Sequence, residues 1–162
     1  MGRLQDKWLG TRYPDNDVVP LSAAEVRNAL LTINGPRVPF RIRDAGPTEN
    51  ADVVAEWWFR TTGLDDDMPR RQEEHRLRIR MRLDPSGREV RFIQEKWSSA
   101  GGGPHMQHAY RRGRSFTVEW KYERGPDGRR RKVTTLDTRD VKRALQKATL
   151  SSGWIWRGVS QL

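Results

Sequence analysis

The chain reads as runs of alternating apolar and polar residues, interrupted twice by stretches of helical period. The clearest run sets Leu77, Ile79, Met81 and Leu83 against Arg76, Arg78, Arg80 and Arg82. A period of two is that of a β-strand with one face in a core and the other in water. Asp84-Pro85-Ser86-Gly87 follows as a turn, with proline presetting its φ and glycine supplying freedom at its end. A returning strand is predicted over residues 88–97. A four-residue loop then sets Met81 beside Val90, Ile79 beside Phe92 and Arg82 beside Glu89, so apolar meets apolar.

The same alternation predicts strands at 38–43, 52–60, 115–123 and 154–159. In the second of these, Val53, Ala55, Trp57 and Phe59 share one face, and Val54, Glu56, Trp58 and Arg60 share the other. Gly125-Pro126-Asp127-Gly128 makes a second hairpin turn, which returns through Arg129-Arg130-Arg131-Lys132. Two segments carry a helical stripe instead. Residues 22–33 open with a capping box, Ser22 and Glu25, and bury Val26, Ala29, Leu30 and Ile33. Residues 137–150 bury Val141, Ala144, Leu145 and Ala148 and end at Gly153. Amphipathic helices need an apolar surface, and the strands supply one. The expected fold is therefore α+β, an antiparallel sheet of about six or seven strands carrying one N-terminal and one C-terminal helix. Residues 1–20 read as an irregular segment and 21–162 as a single domain.

Charge changes the picture more than composition does. Of the 162 residues 32% are charged and the net charge is +10. Residues 70–132 hold 18 Lys+Arg against 8 Asp+Glu, while the flanks hold 13 of each, so the whole excess sits mid-chain. Most of it is arginine, the side chain that grips phosphate and carboxylate in a fixed fork. No cysteine is present, which removes disulfides and thiolate metal sites and fits a reducing cytoplasm. The opening residues lack the apolar stretch of a signal peptide, and no run approaches membrane-spanning length.

Catalytic chemistry finds little footing. His105 and His108 lie three apart but follow a glycine loop, with no third ligand in view, so no metal is expected. Gly101-Gly102-Gly103-Pro104 lacks the Lys-Ser/Thr of a phosphate loop, and Asp65-Asp66-Asp67 lacks calcium-loop spacing. No Gly-x-Ser-x-Gly occurs. Glu56 and Glu119, each beside tryptophan, are the candidates for acid–base work, and pairing with neighbouring arginines is their simpler role. The chain is expected to be no enzyme, to have no catalytic residue and to need no cofactor.

What remains is the basic sheet face. Arg76, Arg78, Arg80, Arg82 and Arg91 are expected to face water on one side of the hairpin as an anion-binding patch, extended by Arg112 and Arg130. Nucleic acid or another polyanion is the partner such a patch suits, and Trp58 and Trp97 would supply stacking platforms. The alternative is a small-molecule or lipid carrier with a pocket lined by some of the seven tryptophans. Three stretches carry a family likeness: Ala55-Glu56-Trp57, residues 83–91, and Gly153-Trp154-Ile155-Trp156-Arg157-Gly158-Val159. Together they resemble a family of small uncharacterised Trp-rich actinobacterial proteins. The resemblance implies a bacterial cytosolic protein and carries no activity, cofactor or catalytic residue.

Overall fold

A computed structural model describes residues 9–35, 38, 40–63, 71–99, 107–109, 117–118, 123–124, 130–131 and 136–162. Side chains are described for 9–35, 38, 40–57, 76–96 and 140–162. Helix α1 spans Ala23–Leu31 and begins with the predicted capping box. The Ser22 hydroxyl accepts from the Glu25 N–H at 3.3 Å, and the Glu25 carboxylate accepts from the Ser22 N–H at 2.8 Å. Helix α2 spans Thr138–Ser151. Gly153, at φ +73, closes it: its N–H donates to Leu150 O, and the Trp154 N–H donates to Thr149 O. Those two bonds satisfy carbonyls that a helix end leaves orphaned.

The strands are β1 (Arg41–Asp44), β2 (Val53–Gly63), β3 (Arg71–Asp84), β4 (Glu89–Ser99), β5 (Gln107–Ala109), β6 (Thr117–Val118), β7 (Glu123–Arg124), β8 (Arg130–Arg131), β9 (Leu136–Asp137) and β10 (Ile155–Gly158). The main sheet runs β1-β2-β3-β4-β10, and the three-residue β5 adds to β4 beyond β10. β6 pairs with β9, and β7 with β8, as separate ladders. The fold is thus α+β with a mostly antiparallel sheet. Five strands form the path of the sheet and β5 branches from it. The sheet differs from the expectation in being mixed, because β10 lies parallel to β4. Alternation reports which face a residue takes and says nothing of strand direction. A parallel neighbour needs a long crossover, and α2 lies on the connection from β4 to β10.

The β3–β4 hairpin also corrects the predicted register. Leu83 stands opposite Val90, Met81 opposite Phe92 and Arg82 opposite Arg91, a shift of two residues from the sequence reading. Such a shift returns every side chain to its original face, so the apolar pattern is blind to it. The turn decides instead. Asp84 ends β3 and its carboxylate accepts from the Ser86 N–H at 3.0 Å, which leaves Pro85–Arg88 as the loop. The left-handed residue is Arg88, at φ 49, and not Gly87.

One face of the sheet carries the core. Val53, Ala55 and Trp57 of β2, Leu77, Ile79 and Met81 of β3, Val90 and Phe92 of β4 and Trp156 of β10 meet Val26 and Leu30 of α1 and Val141 and Leu145 of α2. The Phe92 and Trp156 rings stack at 4.2 Å. Residues 9–21 run past β10: Arg12 exchanges backbone hydrogen bonds with Trp156, Gly158 leaves room for the Leu9 carbonyl, and the Trp154 indole donates to Leu21 O at 2.8 Å.

Candidate anion-binding face

Alternation puts the even-numbered residues of β3 on the face away from the helices, and the register decides what each meets. Arg78 stands between Glu56 of β2 and Glu95 of β4, with Arg41 of β1 beyond Glu56. Arg80 stands between Val54 and Ile93, both buried. Arg82 stands beside Arg91, and the parallel strand β10 brings Arg157 to the far side of Arg91. Three arginines therefore lie abreast at the hairpin end of this face.

The middle of the face is not the open cationic surface that was expected. The Glu95 side chain, 3% exposed, receives Arg78 at 2.8 Å and Arg80 at 2.7 Å. Glu56 receives Arg43 and Arg76, each at 2.9 Å. Glu49, in the loop after β1, is gripped by both terminal nitrogens of Arg43 at 2.7 Å, and Arg80 donates to its backbone carbonyl at 2.7 Å. The Arg78 and Arg80 side chains are only 19% and 16% exposed. The expectation that Arg76, Arg78 and Arg80 face water is corrected: they lie half-buried over the sheet, ion-paired to three carboxylates that they share with Arg43. Charged hydrogen bonds of this forked kind are the strong class, and they hold the desolvated ions in place.

The carboxylates of this network are held ionised. The Arg43 guanidinium pulls Glu49 down to about 2, with the Gly46 N–H assisting against partial burial. Burial works to raise the Glu56 pKa, yet the hydrogen bonds from Arg43 and Arg76 outweigh it and leave the value below the ordinary one. A general acid needs the opposite shift. Glu56, the acid–base candidate among the described side chains, is an ion-pair partner.

The hairpin end differs. Arg91 is exposed and bonds to Glu89 at 2.6 Å and to Asp84 at 3.1 Å, and Glu89 also takes Arg157. Arg82 is exposed and donates to the Asn50 side chain at 3.0 Å. Among the described residues no carboxylate lies within ion-pair distance of Arg82. Arg82 and Arg91 flank a depression of about 240 Å³, floored by Leu83, Asp84, Pro85 and Leu162. It is below the size of drug-like ligand sites.

Other expected residues fall elsewhere. Arg112, His105 and Glu119 lie outside the described residues, as do the side chains of Arg130, Trp58, Trp97, His75 and His108. Among the described residues no group of His, Asp and Glu is arranged to hold a metal ion, and no helix is long and apolar enough to cross a membrane. Trp57, Trp154 and Trp156 fill the core, 3% exposed or less, and line no wall of the depression beside Arg82. Sequence reasoning missed Arg43, Glu49 and Arg157. Alternation in Trp154-Ile155-Trp156-Arg157 would have put Arg157 on the polar face, but its neighbour depends on the parallel pairing. Compared with known proteins, the chain matches no family model, no curated protein and no solved structure.

Proposed function

We propose that the chain is a cytoplasmic, non-enzymatic binding module whose charged sheet face takes an anionic partner, with nucleic acid the leading candidate. The contact is assigned to the hairpin end, Arg82, Arg91 and Arg157, and not to the whole arginine row. One observation carries this: Arg82 is exposed beside a depression and has no carboxylate partner among the described residues. Arg76, Arg78 and Arg80 are already ion-paired to Glu56 and Glu95. A guanidinium whose charge is unspent is the one that gains from a phosphate, because nothing has to be displaced. The positive excess of residues 70–132 supports the same reading at longer range.

The test is a titration against single- and double-stranded DNA and RNA at two salt concentrations. Each phosphate neutralised releases counterions, so affinity should fall steeply with salt. Arg82→Ser should weaken binding and lower the salt slope by about one charge, and Arg82→Glu should weaken it further. Arg78 and Arg80 are unsuitable for this test, because their removal disturbs the buried Glu95. No binding at low salt, or binding indifferent to Arg82→Glu, overturns the reading.

A further inference from the structure

An edge strand exposes a row of N–H and C=O groups that any extended chain can pair with. Among the described residues, the two outer edges of the main sheet are treated differently. At β10 the backbone of Arg12 exchanges hydrogen bonds with Trp156, donating at 2.7 Å and accepting at 2.9 Å. At β1 the outward groups belong to Ile42 and Asp44; the Asp44 carbonyl accepts from the Arg43 guanidinium at 3.0 Å, and a single side chain meets both groups of Ile42. The Asn34 carboxamide accepts from the Ile42 N–H at 2.7 Å and donates to the Ile42 carbonyl at 2.6 Å. Its second amide hydrogen goes to Leu31 O at 3.1 Å, the frayed end of α1. Every hydrogen-bonding group of the carboxamide except one lone pair is thereby used.

A carboxamide has the donor and acceptor of a peptide group, and Asn34 presents both to one residue as a neighbouring strand would. We infer that Asn34 is an edge guard that keeps a second copy of this chain from adding its own β1 to the sheet. The occupant follows from symmetry. An antiparallel β1–β1 pair centred on Ile42 is isologous, each Ile42 N–H donating to the other copy's Ile42 carbonyl. Those are the same two groups that Asn34 satisfies, so guard and second copy compete for one place. Charge on the pair is mixed. Arg43 is paired with Glu49 and Glu56 and exposed Asp44 with Arg27, which leaves exposed Arg41 as the opposing repulsion. Guarding by a side chain, with one unpaired charge beside it among the described residues, is the weaker of the two edge treatments.

The experiment uses the full chain with Asn34→Ala, followed by sedimentation velocity over a range of concentrations and by amide exchange at Ile42. The variant should self-associate at concentrations at least about tenfold below those needed by the parent chain, the effect of roughly one hydrogen bond's worth of competition. Its Ile42 amide should be protected at high concentration and exchange freely on dilution. In the parent chain that protection should not depend on concentration. Asn34→Asp keeps an acceptor for the Ile42 N–H and loses the donor, so it should fall between the two and stands in if the alanine variant does not fold. A folded variant with unchanged association overturns the inference. So does association that leaves the Ile42 amide unprotected, which would put the contact elsewhere.

Discussion

The two faces of the main sheet solve burial by opposite means. Towards the helices, Met81, Phe92 and Trp156 are hidden by hydrocarbon, which attracts without direction. On the other side Glu95 is as well hidden and Arg78 and Arg80 are half-buried, in a network in which each ion needs a partner at hydrogen-bond distance. The first face tolerates rearrangement as long as volume is kept. The second does not, because a removed partner leaves a charge stranded in low dielectric. A polar strand face is thus not the same thing as a wet one.

That difference predicts how each face breaks. Trp156→Ala deletes a fully buried ring stacked on Phe92 and should cost about 3–5 kcal/mol. Glu95→Ala removes far less hydrocarbon, yet it takes from Arg80 its carboxylate partner among the described residues and leaves Arg78 with Glu49 at 3.6 Å, and it should cost about 2–3 kcal/mol. Denaturant unfolding reads both. The sharper measurement is the compensated variant: Glu95→Leu with Arg80→Leu should recover much of the Glu95→Ala loss, since a buried pair replaced by apolar groups is often neutral. A Glu95→Ala cost below about 0.5 kcal/mol would make the network ordinary surface solvation.

Acid should loosen the ionic face and spare the other. Glu49 has its pKa lowered by Arg43 to about 2, and that of Glu56 is lowered as well. A carboxylate depressed on folding contributes stability that is full above its unfolded value, near 4.3, and is lost as pH falls towards the folded one. Stability should therefore hold on this account down to about pH 5 and fall between there and about pH 2. The Glu49 share is on the order of 1 kcal/mol, because water screens a loop carboxylate of this kind. Glu49→Gln should start less stable at neutral pH and lose less on acidification. An acid limb of unchanged depth in that variant removes Glu49 from the account.

How much of this was legible follows from what alternation encodes. It assigned Leu77, Ile79 and Met81 to the core and their arginine neighbours to the other face, and it found both helices, with the capping box of the first and the Gly153 end of the second. Burial of the arginines was not legible, because it depends on Glu49 reaching over from a loop and on Glu95 arriving across the hairpin. Arg157 was hidden for a related reason: only the parallel seat of β10 puts it next to Arg91. The register error has the same root. A two-residue slip keeps both faces intact and changes only which partners meet, so it is invisible to face patterns and is settled by the turn.

The turn supplies the smallest effect and the most local test. Arg88 sits at φ 49, where a side chain crowds its own backbone and an ordinary residue is disfavoured by about 1–2 kcal/mol. Arg88→Gly removes that crowding but frees the unfolded chain, which offsets part of the gain. A net stabilisation of about 0.5–1 kcal/mol is expected, with the register Arg82↔Arg91 unchanged. The alternative source of any gain is charge, since Arg88 lies at the same hairpin end as Arg82 and Arg91. Arg88→Ala separates the two: it removes the charge and keeps the strained φ, so it should give little or no gain. Arg88→Asn, a residue that tolerates the left-handed region, should fall between them. If alanine stabilises as much as glycine, relief of repulsion is the cause, and the turn is not holding the register through a strained residue.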